Sequence, residues 1–234
     1  MNVVLTGASQ GIGYHTAIAL CRNGVENLYL ISRNKNNLQM LKQKCENQYS
    51  TNIICIPIDI NTILENESVV LSEVIKEPID ILINNAGYLL NKDFREITKE
   101  EGVDVFNTNF HAPAALIRYL FPALLKSKLA HVVNISSMGG YQGSSKFPGL
   151  SYYSASKAAI ASLTECLAAE FSNTNIKFNC LAFGAVQTEM LSQAFPDYKA
   201  PITAKEMGEY VASFSLSGHT YYNGQILPVR LSNP

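Results

Sequence analysis

The sequence contains no tryptophan, few charged residues and no segment dominated by charge of one sign. Charged residues make up 16% of the 234 residues and the net charge is −1, so nothing indicates a basic surface for nucleic-acid phosphates. A run of about 18 apolar residues, which a membrane-spanning helix would need, is missing. We therefore expect neither a nucleic acid nor a membrane as a partner.

Spacings typical of metal ligands are missing too. The five cysteines and four histidines are scattered, so we predict no metal and interpret the cysteines as reduced thiols. No basic segment followed by a long apolar one opens the chain, and we expect cytoplasmic residence by default. Because 47% of the residues are apolar and no linker-like segment occurs, one globular domain over 1–234 is predicted.

Short apolar runs alternate with stretches of helical spacing along the chain. The runs are apolar nearly throughout, which is typical of parallel strands covered on both faces. Predicted strands lie at 2–6, 27–32, 52–57, 79–84, 131–136, 176–182 and 225–229, and predicted helices at 11–22, 36–48, 68–76, 98–126, 153–172 and 204–215. The alternation predicts a doubly wound α/β fold of the Rossmann type, with about seven parallel strands and helices on both faces. Segments 139–150 and 187–202 are predicted loops.

The first predicted strand leads into a glycine-rich turn, Thr6-Gly7-Ala8-Ser9-Gln10-Gly11-Ile12-Gly13, and a helix follows. Glycines allow the backbone to approach a pyrophosphate closely, and a helix N-terminus offers that anion unpaired N–H groups. A plain structural turn is the alternative. The strand before the turn and the helix after it favour cofactor binding.

This glycine spacing, TGxxxGxG, resembles the opening of the short-chain dehydrogenases/reductases. Two further signatures of that family occur in family order, the turn Asn84-Asn85-Ala86-Gly87 and the helical pair Tyr153-x-x-x-Lys157. The resemblance covers essentially the whole chain and implies a nicotinamide-dependent oxidoreductase acting on a small molecule. The predicted cofactor-binding residues are Gly7, Ser9, Gln10, Gly11, Ile12, Gly13, Ser32, Arg33, Asn34, Asp59, Ile60, Asn85, Ala86, Gly87, Tyr153, Lys157, Gly184, Val186 and Thr188.

The end of the second strand indicates the choice of coenzyme. An acidic residue there would hydrogen-bond the ribose 2′-OH of NAD, whereas this chain has Ser32 followed by Arg33. A guanidinium can bind a 2′-phosphate through two hydrogen bonds, so NADP(H) is predicted over NAD(H), with Ser9 and Asn34 as helpers. The alternative is that Arg33 is only a solvated loop cation.

For two of the predicted cofactor-binding segments, a structural role is the alternative. Asp59 resembles the family's aspartate that binds the adenine amino group, but it is also a good helix-capping residue. The turn from Asn84 to Gly87 should lie against the adenine ribose, and it could equally brace the sheet. Both roles can hold together for that turn.

Tyr153 and Lys157 stand four residues apart in a predicted helix and therefore lie on one face. A nearby ammonium, aided by the positive nicotinamide of the oxidised cofactor, is expected to lower the pKa of the tyrosine from about 10 by about three units, which takes roughly 4 kcal/mol. Tyr153 would then be the proton donor for a carbonyl reduction. The resemblance adds that Lys157 binds the nicotinamide ribose, while Tyr152 is out of phase and is assigned to packing or the pocket wall.

The resemblance supplies two more catalytic residues, Ser137 and Asn109. Ser137 would hold the substrate carbonyl, and Ser136 is explained by a turn that ends the strand. Sixteen residues separate Ser137 from Tyr153 instead of the usual dozen or so, because Ser144-Ser145-Lys146 resembles an insertion. Asn109 would hold a water that links Lys157 to solvent, and a capping or kink role is its alternative.

The segment after the sixth strand resembles the family's N-x-x-x-P-G-x-x-x-T pattern, with Phe183 in place of the proline. Gly184, Val186 and Thr188 would lie near the nicotinamide carboxamide, and loss of the proline predicts a more mobile loop. Residues 189–202 are interpreted as a mostly apolar substrate lid, for a substrate that is not strongly charged, or else as packing filler. The C-terminal segment 225–234 lacks the aspartate-glycine-glycine ending of many relatives.

These observations predict an NADPH-dependent carbonyl reductase that can also run as an alcohol dehydrogenase. An NAD-dependent dehydrogenase is the alternative within the same chemistry, and a catalytically silent nucleotide-sensing protein is the alternative outside it. The resemblance also implies a homodimer or homotetramer formed through the helices at 98–126 and 153–172.

Overall fold

The computed structural model describes residues 1–64, 71 and 75–231. Its strands are β1 Asn2–Thr6, β2 Asn27–Ile31, β3 Asn52–Ile56, β4 Ile81–Asn84, β5 Ala130–Ser137, β6 Ile176–Phe183, β7 Val186–Gln187, β8 Ile202–Thr203 and β9 Gln225–Val229. Its α-helices are α1 Gly11–Arg22, α2 Lys35–Glu46, α3 Lys99–Phe106, α4 Ala112–Lys126, α5 Ser151–Glu170, α6 Glu189–Ala194 and α7 Ala204–Ser217. The helix predicted at 68–76 lies mostly outside the described residues.

Seven of these strands form one parallel sheet in the order β3-β2-β1-β4-β5-β6-β9. The winding reverses between β1 and β4, since the chain builds outward from β1 in one direction and from β4 in the other. Ligands of doubly wound sheets bind at such a reversal, beyond the carboxyl ends of the strands. The predicted fold class is therefore confirmed, and the location of the functional site follows from it.

Both faces of the sheet are buried, which explains the nearly continuous apolar strands. In β1, Val3 and Leu5 belong to the apolar core on one face, and Val4 belongs to the core on the other. Helices α1, α2 and α7 contribute to the first core, and α4 and α5 contribute to the second. Among the described residues no helix has the length and apolar character needed to cross a bilayer.

The stretch predicted as one helix over 98–126 is interrupted. Helix α3 begins after Thr98, whose side chain and that of Glu101 cap each other's backbone N–H groups. A π-helical turn at Asn107–His111 then separates α3 from α4. One extra residue per turn rotates the following helix, and such turns occur often at functional sites. Asn109 lies in the middle of this turn.

The predicted loops differ in outcome. Residues 139–150 contain neither a helix nor a strand, as predicted. Residues 187–202, also predicted as a loop, contain the six-residue helix α6, and β7 pairs with β8 across this segment. The side chain of Thr188 caps α6 by accepting a hydrogen bond from the Leu191 N–H at 3.2 Å.

Candidate active site

A cleft of about 970 Å³ lies at the carboxyl edge of the sheet. Every predicted site residue except Asn109 lines it. These residues are Gly7, Ser9, Gln10, Gly11, Ile12, Gly13, Ser32, Arg33, Asn34, Asp59, Ile60, Asn85, Ala86, Gly87, Ser137, Tyr153, Lys157, Gly184, Val186 and Thr188. Residues that are far apart in the sequence thus converge on one elongated cavity.

The glycine turn forms one wall of the cleft through its backbone. Gly7 and Gly11 have φ angles of 68° and 56°, in the left-handed region that favours glycine. A Cβ on Gly13 would lie 2.2 Å from the Gly7 carbonyl oxygen, so a side chain has no space there. The first turn of α1 carries no acidic residue, and Gln10 makes no side-chain cap. This arrangement fits a pyrophosphate, because the first N–H groups of α1 have no side-chain cap from Gln10 and the turn lines the cleft.

The turn after β4 braces this wall, as its structural interpretation predicts. The Thr6 hydroxyl accepts hydrogen bonds from the N–H groups of Asn85 and Ala86, at 3.0 and 2.9 Å. The amide of Asn85 donates to the carbonyl oxygens of Thr6 and Gly7, at 3.0 and 3.2 Å. The two turns therefore hold each other in position, and both line the same cleft.

At the far end of the cleft, Arg33 follows β2 with 82% of its side chain exposed. Its guanidinium lies 3.7 Å from a carboxylate oxygen of Asp59, which follows β3. The other oxygen of Asp59 accepts a hydrogen bond from the Asn61 N–H at 2.9 Å, which is the capping role considered for this residue. Asn34 caps α2 by accepting from the Asn37 N–H at 3.0 Å. The Ser32 hydroxyl donates to that of Ser9 at 2.7 Å.

Ser137, Tyr153 and Lys157 meet at the opposite end. Tyr153 lies in the first turn of α5, Lys157 one turn later, and Ser137 ends β5. The ammonium of Lys157, 4% exposed, donates to the Ile135 carbonyl oxygen at 2.9 Å and lies 6.0 Å from the centre of the Tyr153 ring. Burial lowers the pKa of Lys157 to about 8.

The expected acidity of Tyr153 is not found. Burial raises the pKa of its phenol above the ordinary value, and a side-chain hydrogen bond with Ser137 only partly opposes that effect. Desolvation disfavours a buried phenolate, and the Lys157 ammonium is directed at the Ile135 carbonyl rather than at the phenol oxygen. Burial therefore outweighs the neighbouring ammonium in this structure, and the lower pKa expected from Lys157 together with the nicotinamide charge stays a prediction.

Asn109 is buried behind the cleft, in the π-helical turn. Its amide donates to the Tyr88 carbonyl oxygen at 2.8 Å and to the Ser156 hydroxyl at 2.9 Å. Its oxygen accepts from the Tyr88 N–H at 2.8 Å. Asn109 thus connects the turn after β4 with helix α5, which carries Tyr153 and Lys157. The sequence predicted a site residue here but not this bracing role.

The insertion at 144–146 folds back onto the segment that follows Ser137. The Ser144 hydroxyl donates to the carbonyl oxygens of Met138 and Tyr141. The Lys146 ammonium donates to the carbonyl oxygens of Gly139 and Tyr141 and to the Ser144 hydroxyl, each at 2.8 Å. Since the Gly139 N–H donates to the Ser137 hydroxyl at 3.1 Å, the insertion stabilises the segment that orients Ser137.

Phe183 does not begin a loop. It is the last residue of β6 and pairs with Ser137 of β5 and with Val229 of β9. The Gly184 N–H then donates to the Val229 carbonyl oxygen at 3.0 Å. We expected a more mobile loop at the lost proline; the structure instead places this position in the central sheet, because a residue with an N–H can continue strand pairing.

Several cleft residues were not singled out from the sequence, among them Tyr88, Leu89, Met138, Gly139, Phe147 and Leu150. They lie on loops and have no periodic pattern, so only their position next to strand ends could have indicated them. Tyr152 behaves as predicted for a packing residue. Its ring lies against Gly102 and between the rings of Phe94 and Phe106, with centres 6.3 Å away in both cases.

Known proteins share this sequence and fold. A family model described as short chain dehydrogenase matches residues 1–199. The 3-oxoacyl-[acyl-carrier-protein] reductase FabG of Chlamydia trachomatis serovar D is 28% identical over 240 residues, covering 97% of this chain and 94% of that protein. The NADP-dependent 3-hydroxy acid dehydrogenase of Schizosaccharomyces pombe is 28% identical over 190 residues, covering 80% of this chain and 72% of that protein.

A solved structure shows the same similarity over the full fold. An actinorhodin polyketide ketoreductase variant with NADPH superposes with a TM-score of 0.83 at 25% identity, covering 97% of this chain and 95% of that one. Together with the match to the family model, these findings establish that the chain belongs to the short-chain dehydrogenase family of oxidoreductases.

Proposed function

We propose that the protein is an NADP(H)-dependent oxidoreductase that reduces a ketone or aldehyde to an alcohol, or catalyses the reverse reaction. The convergence of Ser137, Tyr153 and Lys157 beside the glycine turn, in one cleft, is the observation that carries the proposal. The relative named as an NADP-dependent 3-hydroxy acid dehydrogenase and the ketoreductase with NADPH support it.

The coenzyme, when bound, supplies the hydride for reduction. We assign its pyrophosphate to the turn of Gly7, Gly11 and Gly13, which lines the cleft at the start of α1, where Gln10 provides no side-chain cap. Asn85, Ala86 and Gly87 would lie against the adenine ribose. Lys157 would hold the nicotinamide ribose, and Gly184, Val186 and Thr188 the carboxamide.

The protein's own contribution is to hold the carbonyl and deliver a proton. The Ser137 hydroxyl hydrogen-bonds the carbonyl oxygen, and Tyr153 donates its phenolic proton to that oxygen as negative charge develops. A raised pKa favours this direction, because the phenol is then fully protonated at neutral pH. The positive charge of Lys157, 6.0 Å from the ring, favours the phenolate once the proton has left.

Arg33 is the residue that we assign to coenzyme choice. Its guanidinium is exposed at the end of β2, where it can reach a 2′-phosphate, and among the described residues only the weak 3.7 Å pair with Asp59 competes for it. Neither Ser32 nor the neighbouring Asn34 carries the negative charge that would repel that phosphate. The NAD-dependent alternative therefore lacks its characteristic residue.

The test is a screen of ketones and aldehydes with NADPH and with NADH at neutral pH. We expect a higher kcat/KM with NADPH than with NADH. In Arg33→Ala the ratio of these two values should fall about tenfold or more. Arg22→Ala is the matched control. Arg22 ends α1 outside the cleft lining, so this variant should keep the preference for NADPH. Equal or better use of NADH by the native protein would overturn the coenzyme assignment.

A protein that binds NADPH yet reduces no carbonyl compound would instead support the nucleotide-sensing alternative. A phenol, an ammonium and a hydroxyl brought together beside a coenzyme site have no evident use in a protein that only binds. We therefore favour the enzyme.

We also propose a homodimer or homotetramer through the helices predicted at 98–126 and 153–172, as the family membership suggests, with a second contact surface near β9. Four aromatic rings at the end of α7 and before β9, those of Tyr210, Phe214, Tyr222 and Tyr221, follow one another with centres 6.0 to 6.5 Å apart. The three tyrosines of this row are each at least 40% exposed. Exposed apolar surface of this kind is typical of interfaces. Sedimentation velocity would test it, and a monomer at micromolar concentration would contradict it.

A further inference from the structure

The substrate end of the cleft, here called the substrate chamber, is formed by side chains from three separate segments around Ser137 and Tyr153. Leu89 follows β4, Phe147 and Leu150 belong to the loop between β5 and α5, and Met190, Leu191 and Phe195 belong to α6 and its end. All six are apolar. Tyr88, Phe147 and Tyr198, which stand 39%, 40% and 48% exposed, add aromatic surface to the chamber.

Positive charge is nearly missing from the walls. Among the described residues that line the whole cleft, the basic side chains are Arg33 and Lys157. Arg33 lies at the adenosine end beside Asp59. Lys157 is buried at the base of Tyr153 and donates to the Ile135 carbonyl oxygen. Neither is placed as a counter-ion for a charged group in the body of a substrate.

The basic residues near the loop between β5 and α5 are already bound. Lys92 donates to both carboxylate oxygens of Glu101 at 2.8 Å. Arg95 forms two hydrogen bonds of 2.9 Å with the carboxylate of Asp93. Lys146 is held by three acceptors of its own loop. A carboxylate or phosphate entering the chamber would have to displace one of these partners.

Resting on the function proposed above, we propose that the substrate is an uncharged carbonyl compound with an apolar or aromatic body. The hydroxyls of Ser137 and Tyr153 match one carbonyl oxygen, and the surrounding wall offers apolar contact. An anionic substrate would lose its hydration without gaining a counter-ion, which is costly. A ketose would leave most of its hydroxyls against the six apolar side chains, since among the described residues Tyr88 and Tyr198 add only two further phenols that can hydrogen-bond.

The experiment compares three probes of one reaction type: the ethyl ester of 4-oxo-4-phenylbutanoic acid, the free acid, and fructose. The ester and acid share the ketone and the aromatic ring and differ in charge. With NADPH, we expect the kcat/KM of the ester to exceed that of the acid on the order of a hundredfold, and fructose to be slower than both. Calorimetric titration of the NADP-loaded protein should give the same ranking for binding of ester and acid.

A variant tests whether the missing counter-ion causes the discrimination against the acid. Leu191→Arg places a cation in the chamber and should shift the ester-to-acid ratio at least about tenfold toward the acid, whereas Leu191→Gln, polar but uncharged, should leave the ratio near that of the native protein. Met190→Arg offers a second position if the first variant has a lowered melting temperature.

The outcomes separate the two proposals. Faster reduction or tighter binding of the acid or of fructose than of the ester would overturn the substrate assignment while the oxidoreductase function stands. Failure to reduce any probe despite NADPH binding would count against the proposed function. Calorimetry with ester and acid would then decide the substrate class without turnover.

Discussion

At one end of the cleft, which we assign to the pyrophosphate, one continuous turn supplies the wall through its backbone, whereas at the proposed substrate end separate segments meet through their side chains. The turn leaves no room for a Cβ at Gly13 and is tied to Asn85 by two hydrogen bonds. The substrate chamber depends on Leu89, Phe147 and Phe195, which come from unrelated parts of the chain.

This difference determines which end of the cleft can be altered by single substitutions without disturbing the fold. A backbone surface can be altered only by disturbing the turn itself, so its ligand is fixed along with the fold. A surface of loop side chains can be altered one residue at a time while the strands stay in place. The same architecture can thus keep its glycine turn and serve many substrates, and perturbations should affect the two ends of the cleft independently.

The largest effect is expected at the junction of the two ends, at Tyr153. Tyr153→Phe removes the proton donor but keeps the ring, and kcat/KM should fall about a thousandfold, with NADPH affinity nearly unchanged. Tyr152→Phe is the matched control, because Tyr152 packs against Gly102 and should lose no more than about twofold. Steady-state kinetics and a fluorescence titration of NADPH measure both quantities. Undiminished turnover by the Tyr153 variant would refute the mechanism.

A smaller effect, confined to the pyrophosphate end, is expected for Gly13→Ala. The added methyl group would overlap the Gly7 carbonyl oxygen, so the free energy of unfolding should fall by about 1–3 kcal/mol and NADPH should bind more weakly. Gly24→Ala is the control: its φ of 77° strains alanine by about 1 kcal/mol, but it has no atom within 4 Å and lies outside the cleft. Urea unfolding and NADPH titration distinguish the two. Native NADPH affinity in Gly13→Ala would contradict the assignment of the turn.

The same division explains what could be predicted from the sequence. The strands at 2–6 and 225–229 are found with the predicted bounds, and the turn, Tyr153 and Lys157 line the predicted cleft, because apolar runs and local spacing encode them. Helix α6 was missed because six residues carry too little periodicity, although Thr188 followed by Glu189 is a helix-start signal.

Features that depend on the environment of a side chain could not be predicted. The spacing of Tyr153 and Lys157 places them on one helix face, but it contains no information on how deeply each is buried. Burial, not the neighbouring charge, decides the direction of the pKa shift of Tyr153. Likewise, the position of Asn109 in the sequence does not indicate that its side chain forms two hydrogen bonds with the backbone of Tyr88.

The raised pKa of Tyr153 predicts that reduction and oxidation depend differently on pH, because they need opposite protonation states of the phenol. Reduction needs the protonated phenol, which burial maintains through neutral pH, and oxidation of an alcohol needs the phenolate. The kcat/KM of oxidation should therefore rise about tenfold per pH unit from about pH 6 up to about pH 8, where Lys157 begins to lose its charge, while that of reduction shows no such rise. NADPH affinity, which we assign mainly to the glycine turn and Arg33, should change much less over this range. A flat oxidation profile over this range would mean that the phenol is already ionised.

The smallest effect should come from the insertion, which acts on the substrate end from outside the chamber. Lys146→Met removes an ammonium that donates to the carbonyl oxygens of Gly139 and Tyr141, and hydrogen bonds of this kind contribute about 1 kcal/mol each. The segment that donates to Ser137 would then lose support. We expect kcat to fall about three- to tenfold with NADPH affinity unchanged, because the glycine turn is not touched.

Two further variants distinguish positioning from general stability. Lys128→Met, which removes an exposed lysine before β5 and outside the cleft lining, should leave kcat as it is, and Lys146→Arg should recover part of the loss because a cation can still reach the loop carbonyls. If Lys146→Met lowered NADPH affinity as much as kcat, the two ends of the cleft would be coupled through this loop. The inference that the two ends of the cleft respond independently to substitutions would then be wrong.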